Sequence, residues 1–361
     1  MLSPRPEVLA LSEVIHGALN HTELAALGID PASVIDFSAS VNPFGPSPRV
    51  IEAIANSQIH CYPDRDATEF RQALASHLGV PKDCLIAGNG SSELLYLIGL
   101  AFLRSADQVL VVGPTYSEYS RVAQLMGATV SCCQASPRSG FQFPTRSLEE
   151  SIRALRPRAV FVCHPNNPTG QLTPTAAIYL WADEFPQTLF IIDEAYIEFS
   201  PDAQSFTKSI RDNIVVLRSM TKAHGLAGLR LGYAVSTPAV IDLLARVRPP
   251  WSVSTIAQNA GIAALQDSTY LQRALASLAA EKTLLEERLA ALGAMTFPSE
   301  THFFLIRVAN ATATRQQLLN SGILVRDCTS FGMPGFLRIS PQTPPQNTLF
   351  CEAWKQLPVG C

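Results

Sequence analysis

Lys222 is the residue of this chain whose neighbours most clearly indicate a chemistry. Ser219 and Thr221 come just before it, and Arg230 follows eight residues later. A lysine amine forms a Schiff base with an aldehyde, while hydroxyls and a guanidinium bind a phosphate dianion. The spacing therefore indicates a site for an aldehyde cofactor that carries a phosphate, which makes pyridoxal phosphate the candidate.

A second candidate anion site lies in residues 88–93, with the sequence Gly-Asn-Gly-Ser-Ser-Glu. This segment follows a predicted strand and opens a predicted helix, and backbone N–H groups at a helix N-terminus bind anions. Gly90, Ser91 and Ser92 are the residues that would contact the phosphate. A glycine turn that only caps a helix would have the same sequence, so this motif alone leaves both interpretations open.

Four more residues follow predicted strands, at the end where open α/β sheets bind ligands. Asp193 ends an apolar strand, where a carboxylate needs a cationic or N–H partner such as a protonated pyridine nitrogen. Tyr196 can hydrogen-bond to a phenolic oxygen of the cofactor. Asn167 precedes a proline, which leaves its amide free to donate. Tyr116 can stack on a planar ring.

Each of these residues also has a plainer interpretation. Asp193 could be a metal ligand or part of a structural salt bridge, Asn167 could belong to a simple turn, and Tyr116 could be a core residue. The order and placement of the whole series is more specific than any one member of it.

Apolar strand-like runs alternate with helical patterns from about residue 47 onward. The predicted strands are residues 84–87, 108–112, 159–163, 189–192, 214–217 and 232–235. The predicted helices between them include residues 67–77, 92–103 and 117–126. Strands that are apolar on both faces and alternate with helices predict an α/β layer with a mostly parallel sheet.

The two ends of the chain have a different pattern. Residues 1–46 are predicted to form an arm that joins the small domain, with a short helix over residues 9–19. Residues 47–245 would be the large cofactor-binding domain, and residues 246–361 the small C-terminal domain. The latter begins within a long helical pattern, residues 243–292, that Pro249 and Pro250 interrupt. Short strands at 303–308, 324–326 and 336–339 then predict an α+β lobe.

The composition is typical of a globular protein with a large core: 361 residues, 47% hydrophobic and 16% charged. The net charge of -3 and the lack of a basic run predict no nucleic-acid binding. Apolar runs such as residues 94–103 end after about ten residues, which predicts a buried helix and no membrane span.

The N-terminus lacks a basic segment followed by an apolar run, so a cytoplasmic location is expected. None of the eight cysteines has Cys-x-x-Cys spacing, which predicts reduced thiols and no metal site.

Taken in order, these motifs resemble the fold type I pyridoxal-phosphate enzymes, the aspartate aminotransferase superfamily. The resemblance runs from about Asp36 to Arg338. It implies a large domain with a mostly parallel sheet of the seven-stranded type and a smaller α+β domain. It also implies that Lys222, Asp193 and Tyr116 are catalytic: Lys222 binds the cofactor and moves protons, Asp193 pairs with the pyridine nitrogen, and Tyr116 stacks on the ring.

The resemblance assigns the other contacts as well. Asn167 and Tyr196 would contact the phenolic oxygen. The residues implied to hold the phosphate are Ser91, Ser92, Ser219, Thr221 and Arg230, beside Gly90. Tyr62, in Cys61-Tyr62-Pro63-Asp64, matches a tyrosine that reaches the partner subunit's phosphate, which implies a homodimer with shared sites. Arg338 matches the arginine that anchors an anionic group of the substrate.

Within the superfamily, the chain is most similar to the subfamily that histidinol-phosphate aminotransferases share with threonine-phosphate decarboxylases. Both act on phosphorylated substrates and have a second arginine like Arg326. The segment 36–45, which contains Asn42, and Pro250-Trp251-Ser252-Val253 resemble the decarboxylases, as does His16-Gly17. His16, Asn42, Arg326 and Arg338 are therefore the predicted substrate-binding residues.

These similarities predict decarboxylation of L-threonine O-3-phosphate to (R)-1-amino-2-propanol O-2-phosphate, a lyase reaction of cobalamin biosynthesis. The alternative is an aminotransferase that acts on histidinol phosphate, in histidine biosynthesis, or on another amino acid. The segment 222–228 resembles the aminotransferases. His302 departs from both groups, which have asparagine there, and His224 is expected to have a packing role.

Two other classes fit the sequence less well. A binding or regulatory protein that has lost activity would not need Lys222, Asp193 and Arg230 together. A dehydrogenase would need a third glycine at position 93, where this chain has Glu93.

Overall fold

The computed structural model describes residues 2–11 and 17–357. Numbered along the chain, its strands are β1 Ile35–Asp36, β2 Leu85–Asn89, β3 Gln108–Gly113, β4 Thr129–Gln134, β5 Ala159–Cys163, β6 Leu189–Asp193, β7 Ile214–Ser219, β8 Leu231–Val235, β9 Met295–Phe297, β10 Phe304–Arg307, β11 Ile323–Leu324, β12 Arg326–Asp327 and β13 Phe336–Ile339. Its helices are α1 Pro6–Leu9, α2 His21–Ala26, α3 Pro48–Ala55, α4 Thr68–Leu78, α5 Gly90–Phe102, α6 Glu118–Leu125, α7 Thr145–Leu155, α8 Thr175–Glu184, α9 Pro238–Val247, α10 Thr255–Gln266, α11 Ser268–Ala291, α12 Ala311–Asn320 and α13 Pro344–Lys355.

A seven-stranded sheet in the order β2-β8-β7-β6-β5-β3-β4 forms the centre of the fold. Strand β8 runs antiparallel to both of its neighbours, and the other pairs are parallel. The predicted α/β layer with a mostly parallel sheet is therefore confirmed. All six strands predicted for this region are present, while β4 at the edge was not predicted.

Both faces of this sheet are covered by apolar side chains. Along β5, Val160 and Val162 pack into one core, while Phe161 packs into the other on the opposite face. Successive side chains of a strand point to opposite faces, so a strand buried on both sides has a continuous apolar sequence. This is why the sequence pattern identified the central strands.

A second, antiparallel sheet has the order β12-β13-β10-β9. It has its own core, to which Phe37 from the N-terminal segment contributes. Strand β1 pairs in parallel with β11, joining Ile35 to Ile323. Backbone hydrogen bonds thus tie the N-terminal segment to the C-terminal part of the chain. The domain limits of 1–46, 47–245 and 246–361 stay a prediction.

Two predicted helices differ from the structure. The pattern over residues 9–19 is not one continuous helix, because α1 ends at Leu9 and residues 17–20 are irregular, with Ala18 at φ 98°. The long pattern over residues 243–292 is three helices, α9, α10 and α11. The break before α10 follows the two prolines, and the side chain of Asp267 caps α11.

Candidate active site

The fold brings most of the predicted site residues to one cavity of about 310 Å³ at the carboxyl ends of the central strands. The predicted residues that line it are Ser91, Ser92, Tyr116, Asn167, Asp193, Tyr196, Ser219, Thr221, Lys222, Arg230, Arg326 and Arg338. The strand register explains the gathering: Cys163 lies beside Asp193, and Ser219 lies beside Gly232. Carboxyl ends of neighbouring parallel strands are where such folds bind ligands.

Lys222 lies in the turn after β7 and faces the cavity. Burial and, to a smaller extent, the positive charges of Arg338 and Arg230 together lower the pKa of its amine to about 8, while Asp193 opposes the shift. An amine with this pKa is partly neutral near physiological pH, so it can act as a nucleophile and accept a proton.

Asp193 is a buried carboxylate at the end of β6. The hydroxyl of Tyr119 donates to Oδ2 over 2.8 Å, and the backbone N–H of Ala195 donates to Oδ1 over 3.0 Å. The pKa of Asp193 is raised by burial, and these donors and the charge of Lys222 offset only part of that shift. A buried carboxylate at the wall of a cavity fits a cation inside it, and a protonated pyridine ring is such a cation.

The start of α5 forms a close-fitting cradle beside Arg230. Gly90 has φ +73°, and a Cβ built there would lie 2.7 Å from Nη2 of Arg230. A Cβ on Gly232 would lie 2.6 Å from the backbone nitrogen of Ser91. Only glycine therefore allows this approach of backbone and guanidinium, and N–H groups at a helix N-terminus favour an anion.

Two hydroxyls complete the cradle. The side-chain oxygens of Ser219 and Thr221 lie 2.7 Å apart, and both residues are buried in the cavity wall. Together with Arg230 and the start of α5, these groups match the donors that a phosphate dianion needs. The residues present therefore fit pyridoxal phosphate: a lysine, a carboxylate across the cavity, and a phosphate cradle.

Tyr116, Asn167 and Tyr196 also line the cavity. Tyr116 meets the ring of Tyr119 edge-on, with centroids 5.5 Å apart. The side-chain oxygen of Asn167 accepts a hydrogen bond from Arg338. Burial raises the pKa of Tyr196 to about 12, although the charge of Arg338 opposes the shift. Tyr196 is therefore a neutral phenol that can donate.

Arg326 and Arg338 stand opposite each other in the β12–β13 pair. Nη2 of Arg326 donates to Oγ of Ser330 over 2.6 Å, and its guanidinium lies 5.0 Å from the ring centroid of Phe331. Nη2 of Arg338 donates to the backbone oxygen of Ser38 over 2.6 Å. Burial lowers the pKa of Arg326 to about 10, and the charge of Arg338 adds to this.

The guanidinium groups of Arg326 and Arg338 are thus two buried positive charges in the same cavity. Such a pair indicates a ligand that carries negative charge.

Of the predicted residues that the structure describes, Gly90, Asn42 and Tyr62 do not line the cavity, although Gly90 adjoins Arg230 at the start of α5. Asn42 is buried: its amide donates to the backbone oxygen of Ala223, and its own N–H donates to that of Lys222. These bonds hold the arm against the lysine turn, and the substrate contact of Asn42 stays a prediction. Tyr62 is 80% exposed and stacks on Trp251. His16 lies outside the described residues.

Both histidines whose roles were open are buried. Burial lowers the pKa of His224 to about 4, with His77 and Arg218 adding to the shift, so it packs as a neutral ring. Burial also lowers the pKa of His302, with Arg338 and Lys222 adding to the shift. Its ring stacks on Phe199, with centroids 3.6 Å apart.

Sequence reasoning missed Tyr119 and a buried ion pair next to the site. Arg218 Nη1 lies 2.8 Å from Oε2 of Glu194, and both side chains are buried. Glu194 follows Asp193 directly, so the pair ties the end of β6 to β7. Glu194 and Arg218 could have been paired from the sequence, because a charged residue next to or inside an apolar segment needs a partner.

Comparison with known proteins agrees with this site. A family model described as aminotransferase class I and II matches residues 32–353. Fold and site together define a fold type I pyridoxal-phosphate enzyme, which confirms the cofactor and the class expected from the sequence motifs. The chain belongs to the aminotransferase class I and II family.

Several relatives are similar over nearly the whole chain. The histidinol-phosphate aminotransferase of Moorella thermoacetica is 33% identical over 98% of this chain and 92% of that protein. The one of Symbiobacterium thermophilum is 37% identical over 89% and 90%.

Solved structures share the fold. One is the histidinol-phosphate aminotransferase of Sinorhizobium meliloti in complex with pyridoxal-5'-phosphate, with a TM-score of 0.86 at 24% identity, covering 97% of this chain and 96% of that one. The L-threonine-O-3-phosphate decarboxylase of Porphyromonas gingivalis has a TM-score of 0.78 at 26% identity, covering 88% and 98%.

The prediction of a threonine-phosphate decarboxylase, a lyase, is wrong on these comparisons. The curated relatives at 33% and 37% identity are histidinol-phosphate aminotransferases. Contacts to the cofactor and to a substrate phosphate do not by themselves decide which bond at the substrate carbon breaks. Residues 2–11 and 17–357 contain no helix long and apolar enough to cross a membrane.

Proposed function

We propose that this chain is an aminotransferase whose amino donor carries a phosphate, with histidinol phosphate as the first candidate. The observation that carries the proposal is the adjacent pair Arg326 and Arg338 in the cavity that also contains Lys222. The names of the relatives support the same substrate class.

When bound, the cofactor supplies an aldehyde for the substrate amine and a ring that withdraws electrons from the bonds at the substrate carbon. Asp193 would pair with the ring nitrogen and favour its protonated form. Lys222, with a pKa lowered to about 8, takes the proton from that carbon and later returns one. The cradle at Gly90 and Arg230 would hold the phosphate of the cofactor.

The two arginines would serve both substrates in turn. Arg326 would bind the phosphate of the amino donor in one half of the reaction and the distal carboxylate of a 2-oxo acid in the other. Arg338 would hold a second anionic or polar group, since it lines the same cavity and donates to Asn167, which would contact the phenolic oxygen of the cofactor. Guanidinium forks bind carboxylate and phosphate equally well in bidentate geometry, which makes one site suitable for both.

We further propose that the enzyme is a homodimer in which Tyr62 contacts the phosphate of the partner's cofactor. Tyr62 is exposed and stacked on Trp251, with ring centroids 4.6 Å apart. A stacked, outward-facing tyrosine is costly to expose and is suited to a contact with a second chain.

The test is substrate discrimination by the purified holoenzyme. L-histidinol phosphate and L-histidinol would each be supplied with 2-oxoglutarate, and glutamate would be measured. We expect glutamate from the phosphorylated donor, with kcat/KM at least about a hundredfold above that of L-histidinol because a paired phosphate supplies strong charged contacts. Equal rates with both donors, or carbon dioxide from O-phospho-L-threonine without glutamate from either donor, would contradict the proposal.

A further inference from the structure

We propose that Tyr119 is a positioning residue that holds the carboxylate of Asp193 toward the ring nitrogen of the cofactor. The inference rests on the proposed role of Asp193. Its basis is the 2.8 Å hydrogen bond from the hydroxyl of Tyr119 to Oδ2 of Asp193, inside a wall of the cavity that both residues line.

The phenol ring of Tyr119 is held on two sides. It stacks on Phe161, with centroids 5.5 Å apart and the planes inclined by 11°. It meets Tyr116 edge-on, with the planes inclined by 82°. Tyr119 is 1% exposed, so the ring has no room to turn. Because Phe161 belongs to the strand next to that of Asp193, the hydroxyl is fixed relative to the carboxylate.

Both carboxylate oxygens of Asp193 have a donor from the protein. Oδ1 of Asp193 accepts from the N–H of Ala195, and Oδ2 accepts from Tyr119. Each carboxylate oxygen has about two lone-pair sites, so both retain capacity for a cation. Two fixed donors set the plane of the carboxylate, and a hydrogen bond to the charged form favours ionisation against the cost of burial.

Tyr119 also links Asp193 to Tyr116, the residue predicted to stack on the ring. A change in the position of Tyr119 would therefore affect both Asp193 and Tyr116, two residues predicted to contact the cofactor ring. The expected consequence is that loss of the hydroxyl weakens cofactor binding and alters the electronic state of the ring, without a direct effect on substrate contacts.

The test compares Tyr119→Phe with Asp193→Asn and with a matched control, Tyr179→Phe. Tyr179 also donates its hydroxyl to one acceptor, the backbone oxygen of Phe206, but does not line the cavity. For each protein, the dissociation constant of pyridoxal phosphate and the absorption band of the bound cofactor would be measured, followed by kcat and KM.

For Tyr119→Phe we expect a dissociation constant about tenfold above wild type, because one hydrogen bond to a charged group is lost. The absorption band should shift in the direction seen for Asp193→Asn but by less, and kcat should fall while KM changes less than about twofold. Tyr179→Phe should match wild type. A wild-type band and dissociation constant for Tyr119→Phe, with both changed in Asp193→Asn, would overturn the inference.

If Asp193→Asn itself left the band and the dissociation constant unchanged, the proposed role of Asp193 would fail first and the inference with it. Should Tyr119→Phe not fold, 3-fluorotyrosine at position 119 keeps the ring and hydroxyl but makes the hydroxyl a stronger donor. We then expect a band shift opposite in sign to that of Asp193→Asn, and an unchanged band would overturn the inference.

Discussion

Arg326 shows how far the neighbours of a single residue determine what it can bind. Its guanidinium is buried beside that of Arg338, and such a pair is unfavourable unless anions compensate the charge. Ser330 and Phe331 orient it with one hydrogen bond and one face-on ring contact. The repulsion between the two buried guanidinium groups is relieved when an anionic substrate enters the site.

For Arg326→Ala we expect KM for a phosphorylated donor to rise by roughly 10- to 100-fold, since charged hydrogen bonds contribute about 1.5–3 kcal/mol. The kcat should change much less, because the lysine and the cofactor cradle are untouched. Steady-state kinetics with L-histidinol phosphate measure this, and Arg307→Ala, an exposed cation of the same sheet, is the control. An unchanged KM would rule out a phosphate contact for Arg326.

His224 makes the stability of the protein depend on pH. Its pKa is lowered to about 4 in the fold, whereas an unfolded histidine has a pKa of about 6.5. As the pH falls, the unfolded chain therefore binds a proton at His224 before the folded chain does. The contribution of His224 to stability is fully present above pH 6.5 and decreases toward pH 4. We expect His224 to account for a loss of about 2 kcal/mol in unfolding free energy between pH 7 and pH 5.

Urea unfolding of the wild type and His224→Gln at pH 7 and pH 5 measures this contribution. The variant should lose less stability between the two pH values, whatever its stability at pH 7. His60→Gln, which changes an exposed ring, should keep the wild-type difference. An identical pH dependence in wild type and His224→Gln would show that His224 does not stay neutral in the fold.

At the level of elements, the start of α5 is shaped by a glycine. Gly90→Ala would bring a Cβ within 2.7 Å of Arg230 and force a left-handed φ on alanine, at a cost of about 1–2 kcal/mol. We expect weaker binding of pyridoxal phosphate, seen as a higher dissociation constant in a fluorescence titration. Gly228→Ala is the matched control, because no atom lies within 4 Å of its Cβ position. Equal affinities of the two variants would argue against the cradle.

The central strands could be predicted because their burial on both faces makes them apolar throughout. Strand β4 could not, since it lies at the sheet edge and its sequence, Thr-Val-Ser-Cys-Cys-Gln, is mostly polar or small. The helix predicted over residues 9–19 shows a second limit: α1 ends at Leu9 and residues 17–20 are irregular, and a short helical pattern alone is a weak guide because short isolated helices are marginally stable. The spacing of apolar residues therefore predicts elements whose side chains are buried. It fails to predict elements that are only partly buried.

In the candidate site too, the sequence predicts some positions and not others. Lys222, Asp193 and the residues of the phosphate cradle could be placed because strand ends and helix starts determine where they lie. Asn42 lies in a motif that predicts a substrate contact, whereas the hydrogen bond from its amide to the backbone oxygen of Ala223 could not be read from the sequence. Tyr119 was missed because a tyrosine early in a helix has the same appearance as a core residue, and only the fold brings it to Asp193.

At the scale of the whole molecule, one predicted cofactor contact cannot be made within a single chain as described. Tyr62 does not line the cavity, and its ring faces outward on Trp251, which is itself 45% exposed. Ile59, three residues before Tyr62, is also largely exposed. An exposed apolar group of this kind favours association with a second chain, and a two-fold dimer would present two such contacts.

Complementation between two inactive variants tests whether Tyr62 serves the partner subunit. Lys222→Ala removes the lysine of its own site, and Tyr62→Ala removes the tyrosine that we assign to the other site. In a mixed dimer, one site then has Lys222 from one chain and Tyr62 from the other, and equal mixing should restore about a quarter of wild-type activity after subunit exchange. If Tyr62 acted within its own chain, every site would lack one residue and mixing would restore nothing. Sedimentation of each variant would show that both still form dimers, so that a failure to complement could not result from loss of assembly.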